Sequence, residues 1–139
     1  MIIINWLIIL SFLFYSLNVT GFRVKTFVLV TSYLKDEPID MVFWAPYCAA
    51  VITFSLAPNI GQWILLGIFV FFHVVCFFTS YKYWIWPSEK KITGYHRHFS
   101  HTHHIIKPRE EILTPDTFHI TIFSLLFVNL VAIILNILA

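Results

Sequence analysis

Hydrophobic residues along the chain are concentrated in three long stretches that contain no Lys, Arg, Asp or Glu. These stretches cover residues 2–19, 41–81 and 118–138. An α-helix rises about 1.5 Å per residue, so roughly 20 apolar residues cross the ~30 Å hydrocarbon core of a bilayer. The first and third stretches have about this length, whereas the middle stretch is long enough for two spans. The pattern therefore predicts membrane-spanning helices.

The middle stretch is interrupted by Pro58-Asn59-Ile60-Gly61. Proline has no N–H to donate and glycine tolerates left-handed backbone, so these residues predict a tight turn between two antiparallel helices. We expect an all-α membrane protein with about four transmembrane helices, in a single transmembrane domain that covers residues 1–139. The predicted helices cover about 2–20, 39–57, 61–84 and 115–138.

Composition and charge support this fold class and indicate its orientation. The chain is 59% hydrophobic and only 12% charged, where soluble domains have about 25% charged residues. All nine Lys and Arg residues fall within residues 23–40 or 82–116. Basic residues in short loops favour the cytoplasmic side, so we expect a multi-pass protein whose charged loops are cytoplasmic and whose termini are non-cytoplasmic. Topology and anionic membrane lipids account for the basic loops, and we expect no nucleic-acid partner.

Histidines are concentrated in the predicted loop 85–114. Five of the seven histidines fall within nine residues, and these are His96, His98, His101, His103 and His104. No single helical face could present all five. His119 follows in the first turn of the last helix, three residues after Asp116 and on the same face. We therefore expect the cluster to lie beside Asp116 and His119.

Imidazole binds zinc, iron and other transition metals, and a nearby carboxylate can ligate the metal or orient a ligating ring. The cluster thus predicts a site for a divalent transition metal, zinc or iron. Its candidate ligands are His96, His98, His101, His103, His104, Asp116 and His119. Glu110 and Glu111 are candidate general bases for a metal-bound water. The alternatives are a loop that binds lipid headgroups or a partner, or one without a specific role.

The segment His101-Thr-His103-His104, followed by two isoleucines and a proline, resembles part of a histidine box of the membrane di-iron desaturases and hydroxylases. That family has the pattern His-x-x-His-His, and its enzymes carry several such boxes on separate segments. This chain has a different spacing and a single cluster. We therefore do not assign it to the family and transfer no residue role.

His73 is an ionisable residue in the middle of a predicted span, so it should face the bundle interior and find a partner there. Asn129 lies at a similar predicted depth. The simplest interpretation is an interhelical hydrogen bond between neutral groups, worth ~0.6 kcal/mol. The other interpretations make His73 a cofactor-binding residue, as a haem or metal ligand, or a step in a proton path.

Three classes of function remain. The first is a small metal-dependent membrane enzyme that acts on a lipid or lipid-linked substrate. The second is a non-catalytic accessory subunit that packs against other membrane subunits in a larger complex. The third is a protein that handles or transports metal ions. The sequence contains no Gly-rich phosphate loop, Gly-x-Ser-x-Gly elbow or Cys-x-x-Cys pair, so none of these motifs decides among the three.

Overall fold

The computed structural model describes residues 2–31, 39–109 and 111–139. In chain order, its elements are α1 (Ile2–Thr20), β1 (Phe22–Val24), β2 (Phe27–Val30), α2 (Ile39–Leu56), α3 (Pro58–Cys76), a π-helical turn (Phe77–Tyr81), α4 (Lys82–Ile85), α5 (Glu89–Phe99) and α6 (Thr117–Leu138). The fold is all-α apart from the short antiparallel hairpin of β1 and β2.

Three helical segments are long and apolar enough to cross a membrane. They are α1, the continuous helical segment Pro58–Ile85 and α6. A shorter apolar helix covers Val42–Leu56, within α2. The chain therefore has the architecture of an integral membrane protein.

The four long helices pack as a ring around an aromatic interior. Helix α1 packs against α2 and α6, and α3 packs against the same two neighbours. Tyr47 of α2 is fully buried at the centre. Its ring makes edge contacts with Phe12, Tyr15, Phe69 and Phe72, with centroids 5.4 to 5.8 Å apart. Aromatic packing around Tyr47 thus joins α1, α2 and α3 in the core.

The connection between α2 and α3 is shorter than the predicted turn. Ala57 alone breaks the helix, with φ −140° and ψ 75°, and Pro58 begins α3. Proline suits this first position because its missing N–H would have no intrahelical partner. Gly61 lies in the first turn of α3, where a Cβ atom would overlap the backbone of Phe54. The prediction that Gly61 forms the turn is therefore wrong, because this glycine permits close contact between two helices.

The predicted loop 85–114 contains a helix, α5. Ile92, Tyr95 and Phe99 follow helical spacing and form one face, with Ile92 buried and the rings of Tyr95 and Phe99 only 4.4 Å apart. Lys90 and Lys91 of the same helix are exposed. The segment is thus an amphipathic helix followed by turns that return to α6, and not one continuous loop.

The two charged segments lie at the same end of the helix ring. The backbone N–H of His103 donates to the carbonyl oxygen of Val28 in β2 at 2.7 Å, and Thr117 N–H donates to the carbonyl of His103 at 2.9 Å. These bonds join the hairpin, the histidine segment and the start of α6. Lys35 is the one basic residue outside the described residues.

Candidate functional site

Asp116 is the buried N-cap residue of α6. Its Oδ1 accepts hydrogen bonds from the backbone N–H of His119 at 2.9 Å and from Nδ1 of the same residue at 2.6 Å. Its Oδ2 accepts a hydrogen bond from the hydroxyl of Thr102 at 2.9 Å. One carboxylate therefore caps the helix, orients the imidazole of His119 and attaches the histidine segment to α6.

Two opposing effects act on the pKa of Asp116. Burial favours the neutral acid and would raise the pKa, whereas the hydrogen bonds and charge of His119 and the hydrogen bond from Thr102 lower it. The lowering effects prevail, so the pKa of Asp116 lies below its ordinary value. The carboxylate is ionised at neutral pH and can only accept hydrogen bonds. Nδ1 of His119 therefore carries the proton of their hydrogen bond, and Nε2 is the nitrogen that can take up or release a proton.

Aromatic rings surround the imidazole of His119. Phe99 of α5 lies 4.8 Å away between ring centroids, Phe123 of α6 lies 5.7 Å away and Tyr95 lies 5.8 Å away. The side chain remains 21% exposed. Among the described residues, its Nε2 has no hydrogen-bond partner. The ring is therefore held on one side and open on the other, as an acid–base group requires.

His119 lines two cavities of different character. An apolar cavity of about 190 Å³ lies between α1, α2, α3 and α6, with Phe72, Ile122 and Leu126 in its walls. A polar cavity of about 670 Å³ opens beside α5. Asn18, Thr79 and His119 line both cavities. His119 thus lies between an apolar space inside the bundle and a polar space at its end.

His73 lines a third, mainly apolar cavity of about 600 Å³ between α3 and α6. Its Nδ1 donates to the carbonyl oxygen of Phe69 in the same helix at 2.7 Å. Its buried Nε2 has no partner among the described residues. Asn129 instead hydrogen-bonds to Ser11 of α1 and to the carbonyl of Leu125. Asn129 therefore bonds to another helix through Ser11 and not through His73, and the cofactor-binding role of His73 stays a prediction.

The loop histidines have different local environments. Nε2 of His96 accepts from the backbone N–H of Thr114 at 3.5 Å, and Nε2 of His104 donates to the carbonyl of Phe99 at 3.0 Å. Nδ1 of His103 lies 2.8 Å from the hydroxyl of Thr117. The side chains of His98 and His101 are exposed, and His101 lines a separate cavity beside the β-hairpin.

Within residues 2–31, 39–109 and 111–139, no group of three or more His, Cys, Asp or Glu side chains is arranged to hold a metal ion. Of the predicted ligands, the structure brings only Asp116 and His119 into direct contact. Glu111 is exposed, and Glu110 lies outside the described residues. The zinc or iron site and the general-base role of these glutamates therefore stay predictions.

Sequence reasoning missed Thr102, Tyr95 and Phe99. Thr102 supports the carboxylate of Asp116, and the hydroxyl of Tyr95 accepts from the backbone N–H of Asp116 at 3.3 Å. The helical spacing of Ile92, Tyr95 and Phe99 was the available signal, but the histidines between and after them obscured it. No protein-family model matches the chain, and no curated protein or solved structure is significantly similar to it.

Proposed function

We propose that this chain is a small membrane enzyme that acts on a lipid or lipid-linked substrate, with His119 as its general acid and base. The observation that supports this proposal is the Asp116–His119 pair at the junction of an apolar and a polar cavity. A substrate that diffuses within the bilayer could place its apolar part inside the helix ring and its polar part next to Nε2 of His119.

The chemistry follows from the orientation of the ring. Nε2 of His119 takes a proton from water or from a substrate hydroxyl while that oxygen forms a bond to the ester carbon or phosphorus of the lipid. It then returns the proton to the leaving oxygen as the bond between that oxygen and the same atom breaks. Asp116 stabilises the imidazolium that forms between the two steps. Such proton transfer typically contributes a factor of about 10²–10⁴ in rate. The exposed Glu111 has no part in this scheme.

The test is turnover of membrane lipids by purified protein reconstituted in vesicles of mixed phospholipids, with products identified by mass spectrometry. His119→Gln should lower the rate by about 10²–10⁴, because glutamine cannot transfer the proton. His101→Gln should keep the rate, since His101 lines neither cavity. Loss of the rate in His101→Gln would favour the metal site, and absence of turnover across the lipids would favour the accessory-subunit function.

A zinc- or iron-dependent form of the enzyme is the second candidate. The observation that favours this candidate is that His104 and His119 both contact Phe99. Nε2 of His104 contacts the carbonyl oxygen of Phe99, and the ring of His119 contacts its ring. Metal analysis of the purified protein tests this candidate. Alanine at His104 or at His119 should each reduce bound metal, and the double variant should lose little more than the worse single variant. Full metal content in all three variants would contradict it.

Haem is the remaining cofactor proposal, and it depends on the unpartnered Nε2 of His73. A haem ligated there would give a visible absorption spectrum, and His73→Leu would abolish that spectrum. A spectrum unchanged in this variant would exclude His73 as the ligand.

A further inference from the structure

We infer that the polar cavity beside α5 binds the phosphate group of an anionic lipid, whose acyl chain enters the apolar cavity on the other side of His119. This inference rests on the proposed function and names the class of its substrate. The junction of the two cavities at Asn18, Thr79 and His119 is a binding site for the phosphate of a phospholipid and the first carbons of its acyl chain.

The charge of the polar cavity favours an anion. Lys90, Lys91 and Arg97 of α5 line it, and no Asp or Glu of the described residues is in its lining. A phosphate group carries up to two negative charges and several acceptor oxygens, and basic side chains near a membrane surface contribute about 1 kcal/mol each to the binding of anionic lipid. The polar cavity has a volume of about 670 Å³, which lies within the range of small-molecule sites.

The residues that line both cavities also supply neutral polar groups. Asn18 comes near the end of α1, and Thr79 lies in the π-helical turn between α3 and α4. A π-helical turn inside an otherwise regular helix frequently occurs at a functional site. Here the turn places Thr79 and Ser80 at the apolar cavity, and Thr79 at the polar one as well.

The apolar cavity continues from this junction into the helix ring. Beyond Asn18, Thr79 and His119, its walls are mostly hydrophobic, and they come from all four long helices. Free inorganic phosphate would leave this space unused, whereas a lipid would fill both spaces at once. The position of the two cavities on either side of the same three residues therefore favours a lipid over a free anion.

The experiment measures lipid retention by the full chain in detergent micelles, with bound lipids counted by native mass spectrometry. The probes are phosphatidic acid, diacylglycerol with the same chains, glycerol 3-phosphate and oleic acid. Phosphatidic acid should bind most tightly, because it alone offers both the phosphate and the acyl chain. Equal retention of diacylglycerol would show that the charge is not recognised. Glycerol 3-phosphate or oleic acid binding as tightly as phosphatidic acid would overturn the lipid-phosphate assignment.

A triple variant tests the residues. Lys90→Gln, Lys91→Gln and Arg97→Gln together should weaken phosphatidic acid binding on the order of tenfold to a hundredfold. The matched control removes the same number of charges outside the cavity, at Lys25, Lys107 and Arg109, which are all exposed. The control variant should bind phosphatidic acid as tightly as the natural chain does. An equal loss in both triple variants would mean non-specific attraction and would overturn the site.

His119→Gln separates this inference from the proposed function. Glutamine at position 119 should lower turnover by about 10²–10⁴, whereas the affinity for phosphatidic acid should fall far less than in the triple variant, since the basic side chains remain. Turnover of a lipid without preference for phosphate would contradict the binding site and leave the acid–base role intact. Tight binding of phosphatidic acid with no turnover of any lipid would contradict the acid–base role alone.

Discussion

Asp116 is the residue on which most of the site depends, because each of its oxygens has a separate partner. An asparagine at this position could still cap α6 with its single carbonyl oxygen. Its amide nitrogen would then take the place of Oδ2 and face the hydroxyl of Thr102. In the flipped orientation the amide nitrogen would face both the backbone N–H and Nδ1 of His119, which would remove the cap and favour the tautomer with the proton on Nε2. The carboxylate therefore determines which nitrogen of His119 faces the cavities.

The stability of the protein should depend on the ionisation of Asp116. Because its pKa is lowered on folding, its contribution is complete above the unfolded value of about 3.9 and is lost as the pH falls through the lower folded value. Thermal unfolding in detergent, followed by circular dichroism from about pH 7 down to about pH 3, should show this loss below about pH 4.

Asp116→Asn provides the control for this acid dependence. The amide does not titrate, so the variant should be less stable than the natural chain at neutral pH and should show a smaller further loss in acid. Identical acid dependence in the two proteins would assign the effect to other carboxyl groups.

Contact between α2 and α3 depends on a missing side chain. Gly61→Ala would place a methyl group against the backbone of Phe54. The backbone cannot move away, as the end of a flexible side chain could. We expect a loss of about 1–3 kcal/mol in the free energy of unfolding, or more if the helices must separate. Gly67→Ala is the matched control in the same helix, since a Cβ there meets nothing within 4 Å.

The measurement for these two variants is reversible unfolding in mixed micelles. Gly67→Ala should be neutral or slightly stabilising, because alanine restricts the unfolded chain more than glycine does. Equal stability of Gly61→Ala and the natural chain would mean that α2 and α3 do not pack as closely as described.

Helices α1 and α6 are joined by a polar bond in an apolar setting. Asn129 and Ser11 are both fully buried and hydrogen-bond to each other. A double-mutant cycle with Asn129→Ala and Ser11→Ala should give a coupling energy of about 0.6 kcal/mol, and at most about 1.7 kcal/mol. Zero coupling, measured by unfolding in micelles, would show that each side chain bonds only to its own helix.

The hydrophobic pattern was sufficient to predict the long helices but not the structure between them. Runs without charge indicate spans because burying a charge in lipid is costly, so a counterpart of each predicted helix is present in the structure. Helix α5 was missed because its apolar face has only Ile92, Tyr95 and Phe99, and the intervening residues are charged or histidine. The Asp116–His119 pair follows from local spacing. Its support by Thr102 depends on a fold-back of the chain that spacing does not encode.

At the scale of the whole molecule, we propose that α2 is the fourth span. Its 18 residues rise about 27 Å at about 1.5 Å each, close to the ~30 Å core of a bilayer. It also packs along both α1 and α3, which themselves have the length and composition of spans. With four spans, both termini lie on one side and the described basic residues lie on the other.

The positive-inside tendency then predicts that the end of the ring that carries Lys90, Lys91 and Arg97 faces the cytoplasm. A reporter fused to either terminus should be non-cytoplasmic, and a cysteine that replaces the exposed Lys90 should react with an impermeant thiol reagent only from the cytoplasmic side. Both natural cysteines, Cys48 and Cys76, should first be replaced by alanine, because both are unpaired thiols. Termini on opposite sides would mean that α2 does not cross the bilayer. Labelling of residue 90 from the outer side would keep the four spans but reverse the orientation, and would place the Asp116–His119 site against the outer leaflet.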